Sequence, residues 1–298
     1  MRKIVCLIPL AGLLFFLPAH AHHEPWNTTT YPQDIDKTWW NDDWWENGII
    51  ESPSNHDVVM EELEYQNGDT DVPAYLFRPK QAGKFPAVLF QHGRRGLDEL
   101  TLRMPRRLAA RGFIVLAPDV FNARFIEKLP LEHDYDTETD VARGIEVLLE
   151  RDDVSTEKAC VVSHTRGGYM TLKALVTHKK QDKDVACYVS SYPHWQDPNL
   201  PEPYQVYRYA AEINELKVPV LVFFGEHEQY QRIRSIMEGI ETLKQKGRNP
   251  TLIVYPGVGR GFDFRPPHVR TFADDLATKD ALQRTARFIH HYLGDSND

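Results

Sequence analysis

The sequence carries no basic excess: Lys and Arg total 35 against 43 Asp and Glu, a formal net charge of −8 with a pI near 5.9. That balance argues against a general nucleic-acid binder, which needs a basic face. The signature of disorder is also missing, since 42% of residues are hydrophobic and 26% charged. No internal repeat and no low-complexity tract interrupts the chain. Long apolar runs are absent except at the very start, and only three cysteines, Cys6, Cys160 and Cys187, occur in 298 residues. What remains is globular composition, long enough to bury a substantial core in one large domain or two small ones.

Residues 1–21 read as a secretory signal. Arg2 and Lys3 precede an apolar run from Ile4 to Leu17, and Ala19-His20-Ala21 fits the small-x-small cleavage pattern. The run is shorter than the roughly 20 apolar residues of a membrane span. Cys6 lies inside the run and not at its end, which argues against a lipid anchor. Cleavage after Ala21 removes two cations and takes the net charge to −10. The expectation is an exported protein, periplasmic or secreted, with no membrane span after cleavage. The new terminus would be His22 followed by His23, an amine and ring that could chelate copper; no partner ligand is identifiable, so neither metal nor cofactor is expected.

Export would put Cys160 and Cys187 in an oxidising space. Each lies in a short apolar run that reads as a buried strand. Disulfide geometry between neighbouring strands of a parallel sheet is poor, so two buried free thiols are expected.

Residues 22–56 form an irregular aromatic lead-in with Trp26, Tyr31, Trp39, Trp40, Trp44 and Trp45. It reads as a strap packing its indoles onto the body, with a lid beside a cleft as the alternative. A third segment, 57–298, is regular. Val58–Tyr65, a turn at Asn67-Gly68-Asp69 and Pro73–Phe77 form a hairpin. Apolar strands at Phe85–Gln91, Phe113–Ala117, Lys158–Ser163, Val185–Ser190, Val218–Phe224 and Thr251–Tyr255 then alternate with helices. Those helices span Glu99–Arg111, Thr137–Arg151, Arg166–Lys179, Tyr204–Leu216, Tyr230–Lys246 and Val269–Leu293. Near-continuous apolar strands imply helices on both faces, so the expected fold is α/β with a doubly wound, mostly parallel sheet. Ligands on such sheets bind beyond the carboxyl ends of the strands.

Three strand ends carry the chemistry. Ser163-His164-Thr165-Arg166-Gly167-Gly168 has the shape of a nucleophile elbow, a strand turning sharply into a helix with small residues around the nucleophile. Phe223-Phe224-Gly225-Glu226-His227-Glu228 ends a strand with an acid. Tyr255-Pro256-Gly257-Val258-Gly259-Arg260-Gly261-Phe262 follows the last strand. Together these segments resemble the dienelactone hydrolase family of α/β-hydrolases. The resemblance implies cleavage of lactones or esters by a Cys or Ser nucleophile, an Asp and a His. Residue by residue, it places the nucleophile at Thr165, the acid at Glu228 and the histidine at Arg260.

All three depart from the family pattern. Glu for Asp is benign. Thr is a crowded attacker, and the family's nucleophile sits at positive φ, where a β-branched residue is an outlier. Arg is the most damaging change, because guanidinium cannot accept a proton near neutrality. His164, His268, His227, His92 and His194 are other imidazoles near strand ends, and nothing in the sequence singles one out as a base. Arg94, Arg95, Arg166 and Arg260 gather at the same strand ends in an acidic protein. They read either as an anion pocket, through planar bidentate donors, or as partners of Glu228, Glu226 or Asp119. The reading is an exported ester or lactone hydrolase with a small, anionic substrate and a modified site. The alternative is a pseudo-hydrolase that binds an anionic small molecule without turnover.

Overall fold

A computed structural model of the chain describes residues 42–50 and 55–294. The signal segment, His22 and His23, and most of the aromatic lead-in lie outside these residues. Eight strands form one sheet in the order β1-β2-β4-β3-β5-β6-β7-β8. β1 (Val58–Asn67) and β2 (Thr70–Pro79) make the hairpin, and β2 pairs antiparallel with β4 (Ile114–Pro118). The rest is parallel: β3 (Phe85–Gln91), β5 (Val154–His164), β6 (Val185–Ser191), β7 (Val220–His227) and β8 (Thr251–Gly259). The inner parallel strands, β3 to β7, are buried almost throughout their apolar stretches because helices cover both faces, whereas β8 lies at the sheet edge and buries only Tyr255 and Val258. This is the α/β class that the strand pattern implies.

The chain moves from β3 outward to β4, then returns to add β5 on the other side of β3. Strand order reverses there, and the ends of β3 and β5 bound the crevice where such sheets bind ligands. The main helices are α2 (Arg103–Ala110), α3 (Thr137–Leu149), α4 (Gly167–Leu172, continued by a wider turn to Thr177), α7 (Tyr230–Gln245) and α8 (Phe272–Leu293). None of the described helices is long and apolar enough to cross a membrane.

Two expectations need correction. The helix over Tyr204–Leu216 is only α6 (Glu202–Tyr207) and a short 3-10 turn at Ala211–Asn214. Between them the backbone is extended at Arg208 and Ala210, and the Ala210 amide donates to the carbonyl of Trp195 at 2.7 Å. A tertiary hydrogen bond overrides local helical preference. The second correction is that Cys160 and Cys187 are not free thiols but form a disulfide. They face each other in the β5–β6 register, beside an irregularity at Ala159/Cys160, with Cα atoms 4.7 Å apart. That separation lies within the range a disulfide spans.

Two tryptophans of the lead-in lie among the described residues. Trp44 and Trp45, on α1 (Asp42–Asn47), are buried. The Arg107 guanidinium donates to the Trp45 carbonyl and lies 4.6 Å from that indole, while Arg270 stacks at 3.9 Å. The Trp44 indole N–H donates to Asp275. Arginine faces on indoles combine apolar cover with cation–π attraction.

Candidate active site

Thr165 closes the turn between β5 and α4 at φ 51°, in the left-handed region. Three backbone hydrogen bonds hold it there. Its amide donates to Ser191 O (3.2 Å), and its carbonyl accepts from Gly168 N (3.0 Å) and His194 N (2.8 Å). On the β3 side a side chain at Gly93 would put Cβ 1.6 Å from Thr165 Oγ1. Glycine there lets the threonine hydroxyl rest against the end of β3. A Cβ at Gly167 would fall 2.5 Å from His92 O, so the helix start also packs directly on β3. Thr165 Oγ1 makes no hydrogen bond among the described residues.

Glu228 and Arg260 meet, as the ends of β7 and β8 require. Arg260 Nη1 donates to Glu228 Oε1 at 3.0 Å, and the Gln229 amide donates to the same oxygen at 2.8 Å. The Glu228 side chain is sealed from solvent, and its Oε2 has no partner among the described residues. Arg260 also lies over the Tyr192 ring at 5.6 Å.

The other arginines do not stand free. Arg94 donates to the carbonyls of Pro130 (2.9 Å) and Leu129 (2.8 Å). Arg166 donates to those of Pro130 (3.1 Å), Leu131 (3.1 Å) and Glu132 (2.9 Å). Together they clasp the loop after β4. Arg95 pairs with Asp98, not with Asp119 or Glu226. Glu226 instead accepts from the Gly257 amide at 3.0 Å. Among the described residues Arg94 and Arg166 have no carboxylate partner. Burial, and then Arg94, push the Arg166 pKa down to about 10.

Sequence patterns missed two clusters. Beneath the elbow, His164 Nε2 lies 3.1 Å from Asp263 Oδ2, and Tyr192 donates its hydroxyl proton to Asp263 Oδ1. The imidazole packs among the rings of Phe90, Tyr192 and Phe264. Burial raises the Asp263 pKa, but His164, Tyr192 and Arg107 outweigh it and hold the carboxyl below its usual range. Above the sheet, His194 Nε2 lies 3.2 Å from Gln205 Oε1, and Arg232 donates to the side-chain oxygens of Gln205 (3.2 Å) and Gln196 (2.8 Å). Burial, Arg232, Arg260 and Arg166 hold the His194 pKa well below its ordinary value. The only sequence signal for His194 was its place just beyond a strand; Gln205 and Arg232 carried none. His227 and His268 are exposed.

The comparisons agree with this architecture. The model of the "Dienelactone hydrolase family" matches residues 72–293. A protein of Escherichia coli K12 named "Putative carboxymethylenebutenolidase" is 25% identical over 265 residues, covering 83% of this chain and 92% of its own. Among solved structures, a "Putative Dienelactone Hydrolase" from Klebsiella pneumoniae superposes with TM-score 0.61 at 19% identity, covering 80% of this chain and all of its own. An esterase of Pyrobaculum calidifontis gives 0.60 at 18% identity, covering 78% of this chain and 85% of its own. At these identities the structural matches establish the fold, an α/β-hydrolase sheet.

Proposed function

The chain belongs to the dienelactone hydrolase family, and from that premise we propose that it hydrolyses an ester or lactone of an anionic small molecule through a modified site. Thr165 is the nucleophile in this reading. Glu228 and Arg260 occupy the positions of the family's acid and histidine. The observation that carries it is the elbow: Thr165 is held at positive φ, against β-branched preference, with Gly93 cleared away beside its hydroxyl. Strained backbone of this kind persists where the surrounding structure over-determines it, typically at functional sites.

Anion preference is supported by charge. Arg94, Arg166 and Arg232 converge without carboxylate partners among the described residues, in an acidic protein. A substrate carboxylate offers stronger acceptors than peptide carbonyls do. Export is part of the proposal, supported by the Arg2–Ala21 pattern and by a buried disulfide of the sort that persists in oxidising compartments. One observation favours a binding protein without turnover: Arg260 pairs with Glu228 where a proton acceptor would sit.

The test compares two activated esters, mono-4-nitrophenyl succinate and 4-nitrophenyl acetate. The anionic ester is expected to be the better substrate in kcat/KM. Arg166→Ala should cut that preference about 10- to 100-fold, the value of one charge-assisted hydrogen bond. Equal rates on both esters would remove the anion preference. No hydrolysis of either would favour the binding protein.

A further inference from the structure

With arginine at 260, the site needs another proton acceptor. His92 donates from Nδ1 to its neighbour Gly93 O (2.8 Å) and buries Nε2 without a partner among the described residues. His164 is sealed against Asp263 below the elbow. His194 is placed differently. Its amide donates to Thr165 O, which ties it to the elbow.

The protonation state of its ring follows from Gln205. That amide's Nε2 donates to Pro198 O (3.2 Å) and Leu200 O (2.7 Å), which turns Oε1 toward His194. Arg232 donates to the same Oε1, so this atom accepts. His194 Nε2, at 3.2 Å, must therefore carry the proton, leaving the lone pair on Nδ1. Nδ1 bonds to no described residue, and the side chain as a whole is buried. A ring fixed by one partner on one nitrogen, with the lone pair of the other left unbonded among the described residues, has the layout of a catalytic base with its orienting group.

We propose that His194 is the proton acceptor for Thr165, held in the Nε2–H tautomer by Gln205; the proposal rests on the hydrolase reading. As Thr165 Oγ1 bonds to the acyl carbon, its proton passes to Nδ1 and the carbonyl π pair moves to oxygen. Collapse breaks the acyl–oxygen bond, and the leaving alkoxide takes the proton from Nδ1. Water then attacks the acyl-threonine, gives its proton to Nδ1, and Oγ1 recovers it as the acid departs. Oγ1 rests against Gly93 without substrate, so the first step includes rotation about the Thr165 Cα–Cβ bond.

The charges facing the ring are Arg166 at the start of α4, Arg232 on α7 and Arg260 after β8, with neutral Gln205 on α6. Burial first, and then these guanidinium groups, disfavour imidazolium, so the ring rests as the free base at neutral pH. A base of low pKa has little driving force for accepting a proton, and turnover should be modest.

The test is the pH profile of kcat/KM for mono-4-nitrophenyl succinate, measured on the mature protein. Its acid limb should lie below the ordinary histidine range and move upward in Arg232→Gln, which removes a neighbouring positive charge. His194→Gln should lower kcat about 10²- to 10⁴-fold, while His268→Gln leaves it unchanged. A rate lost in Thr165→Ala but kept in His194→Gln, or an acid limb unmoved by Arg232→Gln, would overturn this inference alone. No wild-type turnover on any ester would overturn the hydrolase reading and His194's role with it. If His194→Gln does not fold, ¹⁵N NMR of the wild-type imidazole decides: a proton on Nε2 is expected, and one on Nδ1 overturns the proposal.

Discussion

A threonine at φ 51° bears backbone strain of about 1–3 kcal/mol. The compensation comes from three backbone hydrogen bonds and from the close packing of β3 against the elbow. Gly93 is the residue where this can be tested. In Gly93→Ala the new methyl would overlap Thr165 Oγ1 and also fall 2.9 Å from Thr165 Cβ and 3.0 Å from His164 O, contacts that rotation of the hydroxyl does not relieve. The variant should lose roughly 1–3 kcal/mol of stability, the usual cost of overpacking, and lose esterase activity as well. Urea denaturation and the mono-4-nitrophenyl succinate assay read the two effects. Unchanged stability and rate would mean that the elbow backbone moves away from β3 freely.

Among elements, β5 bears the most. It meets β3 at the switch point, presents the elbow, and is bonded to β6 through Cys160–Cys187. The bond closes a loop over a sequence separation of 27 residues. In the chain-entropy account such a loop contributes about 3–4 kcal/mol by restricting the unfolded state. Cys160→Ala with Cys187→Ala should show that loss in urea denaturation, with little change in ester turnover for the folded fraction. A stability equal to wild type would show that the bond does not hold in the purified protein. The strands themselves were legible in the sequence, because a strand covered on both faces must be apolar along its length. The disulfide was not: the β5–β6 register and its irregularity at Ala159 come from the whole sheet, and no local pattern records them. The region after α6 failed for a similar reason, since the Ala210–Trp195 hydrogen bond spans separate segments.

Taken as a molecule, the protein sets a cluster of arginines at one sheet edge against a formal net charge of −8. The placement of Thr165, Glu228 and Arg260 just past three strand ends was readable because each follows a strand within a motif. Asp263, Gln205 and Arg232 were not, because their role lies in hydrogen bonds and charge contacts between distant loops and helices. The arginines were readable as a group, but not their engagement with the carbonyls of Leu129–Glu132. Hydrolysis at this site depends on one covalent event, acylation of Thr165. The direct measurement is mass spectrometry of the protein quenched in acid during turnover of mono-4-nitrophenyl succinate, followed by peptide mapping. The expected result is a succinyl adduct on Thr165, absent from Thr165→Ala. Steady hydrolysis with an unmodified Thr165, or an adduct on another residue that persists in Thr165→Ala, would contradict it.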